Sequence, residues 1–383
     1  MSPSHQHPPR ALVHLERCPT YERAAVTAAV RAALGATAGN LLQPGRTVLV
    51  KPNLVNPQPA ETGICTHPEV VRAVAEVALE AGCQVVVGDQ PTYDLSGEAG
   101  AVFGRSELSD TLSDLAVEWR LLSAGGYAER EVPAGRRVKA VHVSRLAAEV
   151  DVILSVAKCK THVQTTLTGA VKNMFGAVAP RDRMDIHMFG AYRALGEALA
   201  DTYAALPADL TIMDAVVSMG GPGPVGGGLV PTGFIAASQD AVALDTILED
   251  LIGLRPGEVA VTKAAAALGL GVGERGRIEV AGADPAGVRR VVARPPTALR
   301  SFPPFLGRLA RPLIWVRPWV DEARCVRCGA CTEVCPAGGV QVGARAAEIN
   351  ADRCVECFCC MEACPERAIS PRRSLLTRLA WRR

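Results

Sequence analysis

Two cysteine runs near the C-terminus constrain this chain more than any other feature. Cys325-x2-Cys328-x2-Cys331-x3-Cys335 is followed by Pro336, and Cys354-x2-Cys357-x2-Cys360-x3-Cys364 is followed by Pro365. Three thiolates at this spacing wrap one corner of a cube, the fourth arrives from a distance, and the proline ends the loop. This is the bacterial iron–sulfur run, in which the fourth cysteine of each run ligates the other cluster of a two-cluster module. The expectation is two [4Fe–4S] clusters, one on Cys325, Cys328, Cys331 and Cys364 and the other on Cys354, Cys357, Cys360 and Cys335. A pair of zinc sites would not need four cysteines at this spacing twice, each followed by proline. The spacing therefore implies electron transfer, at a potential that the ligands alone do not set. Cys359, beside Cys360, is expected to be a small buried neighbour of a cluster rather than a ligand or redox thiol.

Nine of the thirteen cysteines lie between Cys325 and Cys364, while Cys18, Cys65, Cys83 and Cys159 are scattered. A clump of this kind reads as metal ligation in a reducing compartment, so a cytoplasmic protein is expected. The formal net charge of +2 argues against an extended nucleic-acid surface. The N-terminal MSPSHQHPPR has no apolar stretch behind it, so no secretory signal is read there, and His5 and His7 belong to a frayed tail. No uncharged run reaches bilayer length, and membrane contact through Leu375, Leu376, Leu379 and Trp381 of the weakly amphipathic tail is not expected.

With 383 residues, 49% of them hydrophobic, the chain has material for two or three domains. Residues 1–20 are expected to be a disordered or extended segment, and 21–290 an α/β domain. Residues 291–321 read as a Pro/Arg/aromatic linker without regular structure, 322–370 as the ferredoxin domain, and 371–383 as a basic tail. Within the α/β domain, apolar strands over Thr47–Val50, Gln84–Val87, Asp151–Ser155, Leu210–Met213 and Arg277–Val280 alternate with helical segments. The helices expected are Tyr21–Ala36, His67–Gly82, Asp240–Leu254 and Gly257–Leu270, and a hairpin over Glu131–Val143 is placed on the sheet edge. Wholly apolar strands alternating with helices predict a mostly parallel sheet with helices on both faces. The cysteine-rich end adds a small α+β ferredoxin-like domain.

Polar residues follow these strands. Lys51, Asn53, Asp89, Lys158, Lys160 and His162 lie just beyond the carboxyl ends, where open α/β sheets hold their ligands. Lys172, Arg181, Arg183 and His187 follow in a loop-rich stretch. Cations gathered on one rim, with no matching run of acids, suit a carboxylate or phosphate. His162, Lys158 and Lys160 are the expected catalytic residues, with His162 or a lysine giving the proton. Gly221-Pro-Gly-Pro-Val-Gly226 matches G-x-G-x-x-G, but Gly227, Gly228 and Pro231 preclude the helix a dinucleotide needs, so it reads as a flexible or ligand-covering loop. No G-x-x-x-x-G-K-[ST] is present. Asp240 is expected to cap the helix it precedes. Asp245 interrupts an apolar helix and either faces solvent, bonds a backbone, or serves function. Cys65 and Cys159 could act as thiolates, but inert burial is the expectation.

Four segments carry a family resemblance. They are Val50-Lys-Pro-Asn53 with Cys65-Thr-His-Pro-Glu69; Lys158-Cys-Lys-Thr-His162 with Thr168-Gly-Ala-Val-Lys-Asn173 and Gly176; Asp214 to Gly228; and Ala237-Ser-Gln-Asp240-Ala-Val-Ala-Leu-Asp245. With Cys357-Phe-Cys-Cys-Met-Glu362, these resemble the domain of unknown function 362 family, in the branch fused to a C-terminal ferredoxin. Ala157 and Cys159 depart from its pattern, where proline and an aliphatic residue are usual. The name of the family implies no reaction, which must be argued from the site. Lys51, Asn53, Asp89, Lys172 and Asn173 are the expected substrate-binding set. The leading expectation is an iron–sulfur oxidoreductase passing electrons to a small anionic substrate, with an external electron donor or acceptor. The main alternative is an electron carrier or metallocofactor-assembly partner whose α/β domain docks another protein. A third is a large domain that binds an additional flavin or metal.

Overall fold

Alternation along the apolar strands divides the core into two faces. Val48 and Val50 pack on one side of the sheet and Leu49 on the other; Leu154 and Val156 oppose Ile153 and Ala157 in the same way. A pleated strand whose residues are apolar at every position must be covered on both faces. The computed structural model describes residues 10–92, 99–190, 192–295, 313 and 315–380.

The main sheet contains β1 (Ala11–Arg17), β2 (Thr47–Lys51), β3 (Gln84–Asp89), β4 (Val117–Leu121), β7 (Val152–His162), β8 (Thr166–Leu167), β9 (Leu210–Gly220), β10 (Gly228–Ser238) and β11 (Ile278–Gly282). Its order is β11-β1-β10-β9-β7-β2-β3-β4, with β8 paired to β7. The pairs β2·β3, β2·β7, β3·β4, β7·β9 and β1·β11 are parallel, while β10 runs antiparallel to both neighbours. One face is covered by helices Arg23–Thr37 and Pro68–Glu80, the other by Tyr192–Ala205 and Ala241–Leu251. Pro68 opens its helix where a missing N–H costs nothing, and His67 Nδ1 caps it by accepting from Glu69 N at 3.2 Å. Asp240 caps Ala241–Leu251 by accepting from Ala243 N at 2.8 Å, as expected.

The cysteine-rich module packs directly on the first face. Val316, Phe358, Met361 and Ile369 belong to the same buried cluster as Val48 and Val50. Its strands are β12 (Val316–Val320) with β15 (Ile369–Arg373), and β13 (Val340–Val342) with β14 (Ala347–Ile349). Asn56 and Gln58 of the loop after β2 donate to the carbonyls of Cys364 and Pro365 at 2.9 and 3.0 Å, fixing the module to the strand ends.

Several boundaries differ from the sequence expectation. Ala11–Arg17, assigned to a segment outside the α/β domain, is a strand inside the sheet; residues 1–9, with His5 and His7, lie outside the described residues. The hairpin is β5 (Tyr127–Glu131) with β6 (Ala140–Ser144), and it forms its own two-stranded ribbon rather than an edge of the main sheet. Most of the expected linker, residues 296–312 and 314, lies outside the described residues. Its end is not irregular, because Val316–Val320 pairs with β15 despite Pro318. Of the tail, Leu375 and Leu376 are exposed on helix Leu375–Ala380, and the Leu379 side chain and Trp381 lie outside the described residues. Among the described residues no helix is long and apolar enough to cross a membrane.

Candidate functional site

Each cysteine run folds back so that its fourth member joins the other run. One cavity is lined by Cys325, Cys328, Cys331 and Cys364, and a second by Cys335, Cys354, Cys357 and Cys360. These are the two crossed sets that the spacing predicts. Backbone N–H groups donate to three of the sulfurs: Ala347 N to Cys325 at 3.4 Å, Gly339 N to Cys335 at 3.2 Å, and Ala368 N to Cys364 at 3.2 Å. Four thiols around a small cavity, steadied by peptide N–H donors, are the donor set an iron–sulfur cube requires. Cys359 lines neither cavity. It is buried and turned toward a cleft between the module and the sheet.

That cleft has a volume of about 350 Å³. The sheet side contributes Lys51 and Asn53 from the end of β2, Asp89 from the end of β3, Lys160 from β7, and Thr168, Lys172 and Asn173 around helix Gly169–Asn173. Arg183 and His187 come from helix Pro180–His187, and Pro224 from the glycine-rich loop. The module contributes Glu333, Val334, Cys359 and Glu362. Val334 and Cys359 are next in sequence to Cys335 and Cys360, so the cleft wall is one residue from the second four-cysteine set. The glycine-rich loop joins β9 to an antiparallel strand, not to a helix, which agrees with rejecting a dinucleotide site.

The cations of the cleft are not uniformly unpaired, as the sequence had led us to expect. Lys51 Nζ forms an ion pair with Asp89 Oδ1 at 2.7 Å, and both are buried. Burial pushes the Lys51 ammonium down, and Asp89 opposes this. Gly176 lies against the pair, where a Cβ would come within 2.8 Å of Asp89 Oδ1 and 3.0 Å of Lys51 Nζ, so a larger residue would have to displace the ion pair. Among the described residues Lys160 has no carboxylate partner, and it donates to Ile64 O at 2.6 Å. Its burial lowers its pKa to about 7. Lys172 has no ion pair among the described residues and faces the Phe175 ring at 6.0 Å. Arg183 donates to the carbonyls of Gln90 and Pro91 at 3.3 and 3.4 Å. Asn53 Nδ2 donates to Asn173 Oδ1 at 2.9 Å, and Asn173 Nδ2 to Ser155 Oγ at 2.9 Å. Asn53 Oδ1 and Thr168 Oγ1 are buried without a hydrogen-bond partner among the described residues.

Lys158 does not line the cleft. It sits directly opposite Asp214 in the β7·β9 register, and its Nζ donates to Asp214 Oδ2 at 2.9 Å and to Tyr21 Oη at 2.7 Å. Tyr21 donates to Asp214 Oδ1 at 2.8 Å and stacks on His67 with ring centroids 3.6 Å apart. This network satisfies the buried charge and holds helix Pro68–Glu80 to the sheet. An irregularity in register between Lys158 and Lys160 carries Lys160 clear of Asp214 and into the cleft.

His162 stands at the junction of sheet and module. Its Nδ1 accepts from Gln164 N at 3.1 Å, and its Nε2 lies 2.9 Å from Glu362 Oε1. Burial, reinforced by Lys172, lowers its pKa to about 4 against the pull of Glu362, so the ring is neutral at pH 7. Glu362 is also fully buried, which raises its pKa, but its contact with His162 and the nearby Lys172 ammonium outweigh this and keep it a carboxylate. A neutral imidazole whose Nδ1 accepts from the backbone and whose Nε2 faces a carboxylate is a poor proton donor to a substrate, contrary to the expectation for this residue. Arg181 is exposed and away from the cleft lining.

Asp245 accepts from Ala170 N and Val171 N at 2.6 and 3.0 Å, capping the short helix that presents Lys172 and Asn173. Gly169, at φ +65°, lets the chain pass that carboxylate, since a Cβ there would come within 2.5 Å of Asp245 Oδ1. Asp245 is thus a positioning residue of the site. The thiols of Cys65 and Cys159 are buried and pushed up to about 11 and about 12, chiefly by burial, as inert cysteines are. Glu362, Cys359 and Thr168 are site residues that strand-end reasoning did not find. The signal for Glu362 was a lone carboxylate inside the otherwise apolar turn Cys357–Cys364.

Parts of this chain match known proteins. Residues 48–250 match a family described as "Domain of unknown function (DUF362)", and residues 317–365 match one described as "4Fe-4S dicluster domain". The thylakoid-associated protein sll1697 of Synechocystis sp. is 34% identical over 262 residues, spanning 67% of this chain and 79% of the relative. Among solved structures, the lactate racemase apoprotein from Thermoanaerobacterium thermosaccharolyticum gives a TM-score of 0.43 at 11% identity, over 64% of this chain and 57% of that one. A structural-genomics protein from Thermotoga maritima gives 0.38 at 11% identity, over 66% and 60%. The chain spans less than two thirds of the length of either of these structures. The extent of the first match and the identity to the Synechocystis protein place the chain in the domain of unknown function 362 family, with a 4Fe-4S dicluster domain at its C-terminal end.

Proposed function

We propose that this chain is an iron–sulfur oxidoreductase holding two [4Fe–4S] clusters and acting, in a reducing cytoplasmic compartment, on a small anionic substrate bound between the α/β domain and the cysteine module. The observation that carries the reading is the composition of the cleft. Lys160, Lys172 and Arg183 face residues adjacent to Cys335 and Cys360, so the anion-binding groups and the nearer four-cysteine set share one wall. When bound, the clusters supply electrons one at a time. The protein's own groups do the rest. Lys172 and Arg183 attract the anion, Lys51 is held in place by Asp89, and Asn53 and Thr168 offer a buried acceptor and hydroxyl for orientation. Lys160 is the best proton donor in the cleft, because its pKa of about 7 lets it give and regain a proton near neutral pH.

Anaerobic purification followed by mass spectrometry of small molecules released on denaturation tests this. An anion should co-purify with the wild-type protein and be lost from Lys172→Ala, whose iron content is unchanged. Release of a partner protein with no small molecule would favour the docking alternative.

A further inference from the structure

A second cavity, of about 1060 Å³, shares no described lining residue with the cleft. Helices Ala241–Leu251 and Ala260–Ala267 form two of its sides, and the segment 269–277 forms a third. Glu249 and Thr262, one from each helix, are its buried polar side chains, 3% and 4% exposed. Among the described residues Glu249 Oε1 and Thr262 Oγ1 have no hydrogen-bond partner. Buried polar atoms are rarely left bare, and two of them meeting at one cavity mark a place for a ligand. Burial raises the Glu249 pKa to about 8, and the nearby acids Asp245 and Glu258 add to this, against the pull of the Thr262 hydroxyl and the Gly257 N–H. Neither acid brings a base to Glu249. Asp245 accepts from Ala170 N and Val171 N, and Glu258 pairs with Arg294 at 3.0 Å. The exposed mouth mixes Lys263, Arg275 and Arg277 with Asp250 and Glu274, and water screens them, so the buried carboxyl decides what binds.

We propose that this cavity binds a small organic amine, its ammonium group seated between Glu249 and Thr262. The site is independent of what occupies the cleft. An ammonium has three donors, enough for both bare oxygens, and its charge neutralises a carboxylate that has acids beside it and no base. A hydroxyl would leave that charge uncompensated, and an anion would be repelled by it. One buried carboxyl and one hydroxyl are too few oxygen ligands for a hard metal ion. Binding exchanges one charge for another: Glu249 releases its proton to water as the ammonium enters, and no covalent bond forms or breaks. Affinity therefore rises with pH until Glu249 is ionised, and falls again once the amine itself loses its proton.

The test is calorimetry on the full-length, anaerobically reconstituted protein. Phenethylamine is the probe, with 2-phenylethanol and 3-phenylpropanoate as its neutral and anionic counterparts. The amine should bind one per chain, about tenfold or more tighter than either counterpart. Its affinity should rise about tenfold between pH 7 and pH 9, as Glu249 loses its proton. Glu249→Gln should remove that rise and weaken binding about tenfold at pH 9, and Thr262→Val should weaken it severalfold. Lys172→Ala in the cleft should leave it unchanged. A readout without ligand checks the variant's fold. The folded pKa of Glu249, about 8, lies above its ordinary 4.5, so wild-type stability is lost through this group as pH rises between them. At pH 9 ligand-free Glu249→Gln should therefore melt above the wild type. No binding of the amine, equal binding of the alcohol, affinity that does not change with pH, undiminished binding by Glu249→Gln, or an equal loss in Lys172→Ala would each overturn the proposal.

Discussion

His162 Nε2 and Glu362 Oε1 lie 2.9 Å apart, one at the end of a buried sheet strand and the other in the turn between two cysteines. Among the described residues neither atom has a regular hydrogen bond to any other group. The contact therefore joins the two modules at the cleft, and its loss should be felt as stability. His162→Ala and Glu362→Ala should each cost about 1–3 kcal/mol, and the double variant should cost less than the sum. Thermal unfolding with iron content as a control would measure this. Strict additivity would mean that the two groups do not interact.

Lys158 should behave as a structural residue. Its partner Asp214 is fully buried, so Lys158→Ala leaves an uncompensated charge in the core. Removing one member of such a pair typically costs about 3–5 kcal/mol. The expected outcome is a large drop in melting temperature. A variant of normal stability with slowed turnover would restore Lys158 to the catalytic role that its sequence position implies.

Stability should rise with pH above neutrality. The Lys160 pKa in the folded chain, about 7, lies below its ordinary value of 10.5, so between these values the unfolded chain binds the extra proton. Stability then increases with pH across that window, by at most about 1.4 kcal/mol per unit for one group. Lys51 and Lys172 are shifted in the same direction. Denaturant unfolding between neutral and mildly alkaline pH should show the rise, and Lys160→Met should flatten it without abolishing it.

Cys359 faces the cleft and neither four-thiol cavity. Cys359→Ser should keep the full iron content, about eight per chain for two four-iron clusters. Loss of half the iron would make Cys359, and not Cys360, a ligand.

The grouping of eight cysteines around two cavities was legible because spacing along a short loop carries it. The convergence of Lys51, Lys160 and Lys172 was legible for a related reason, since parallel strands deliver their carboxyl ends to one edge. What could not be read was pairing across strands. Lys158 and Lys160 look equivalent in sequence, yet register opposite Asp214 and an irregularity two residues later send them to different environments. The strands β7 and β9 run to eleven residues each, past the apolar runs that defined them, because their polar ends are buried as well. The strand β1 was missed because it alternates buried and half-buried residues next to a polar tail.

The central claim is that the cleft presents a small anion to the clusters, and the most direct measurement is reoxidation of the reduced protein by a panel of small carboxylates, oxoacids and phosphorylated acceptors. Stopped-flow absorbance would follow the clusters in the wild type and in Lys172→Ala, with iron content matched. We predict saturable reoxidation by at least one anion, with the concentration for half-maximal rate raised by one to two orders of magnitude in the variant, the loss of a charge-assisted contact of roughly 1.5–3 kcal/mol. Equal reoxidation of both proteins by every anion, or no acceleration by any, would contradict it.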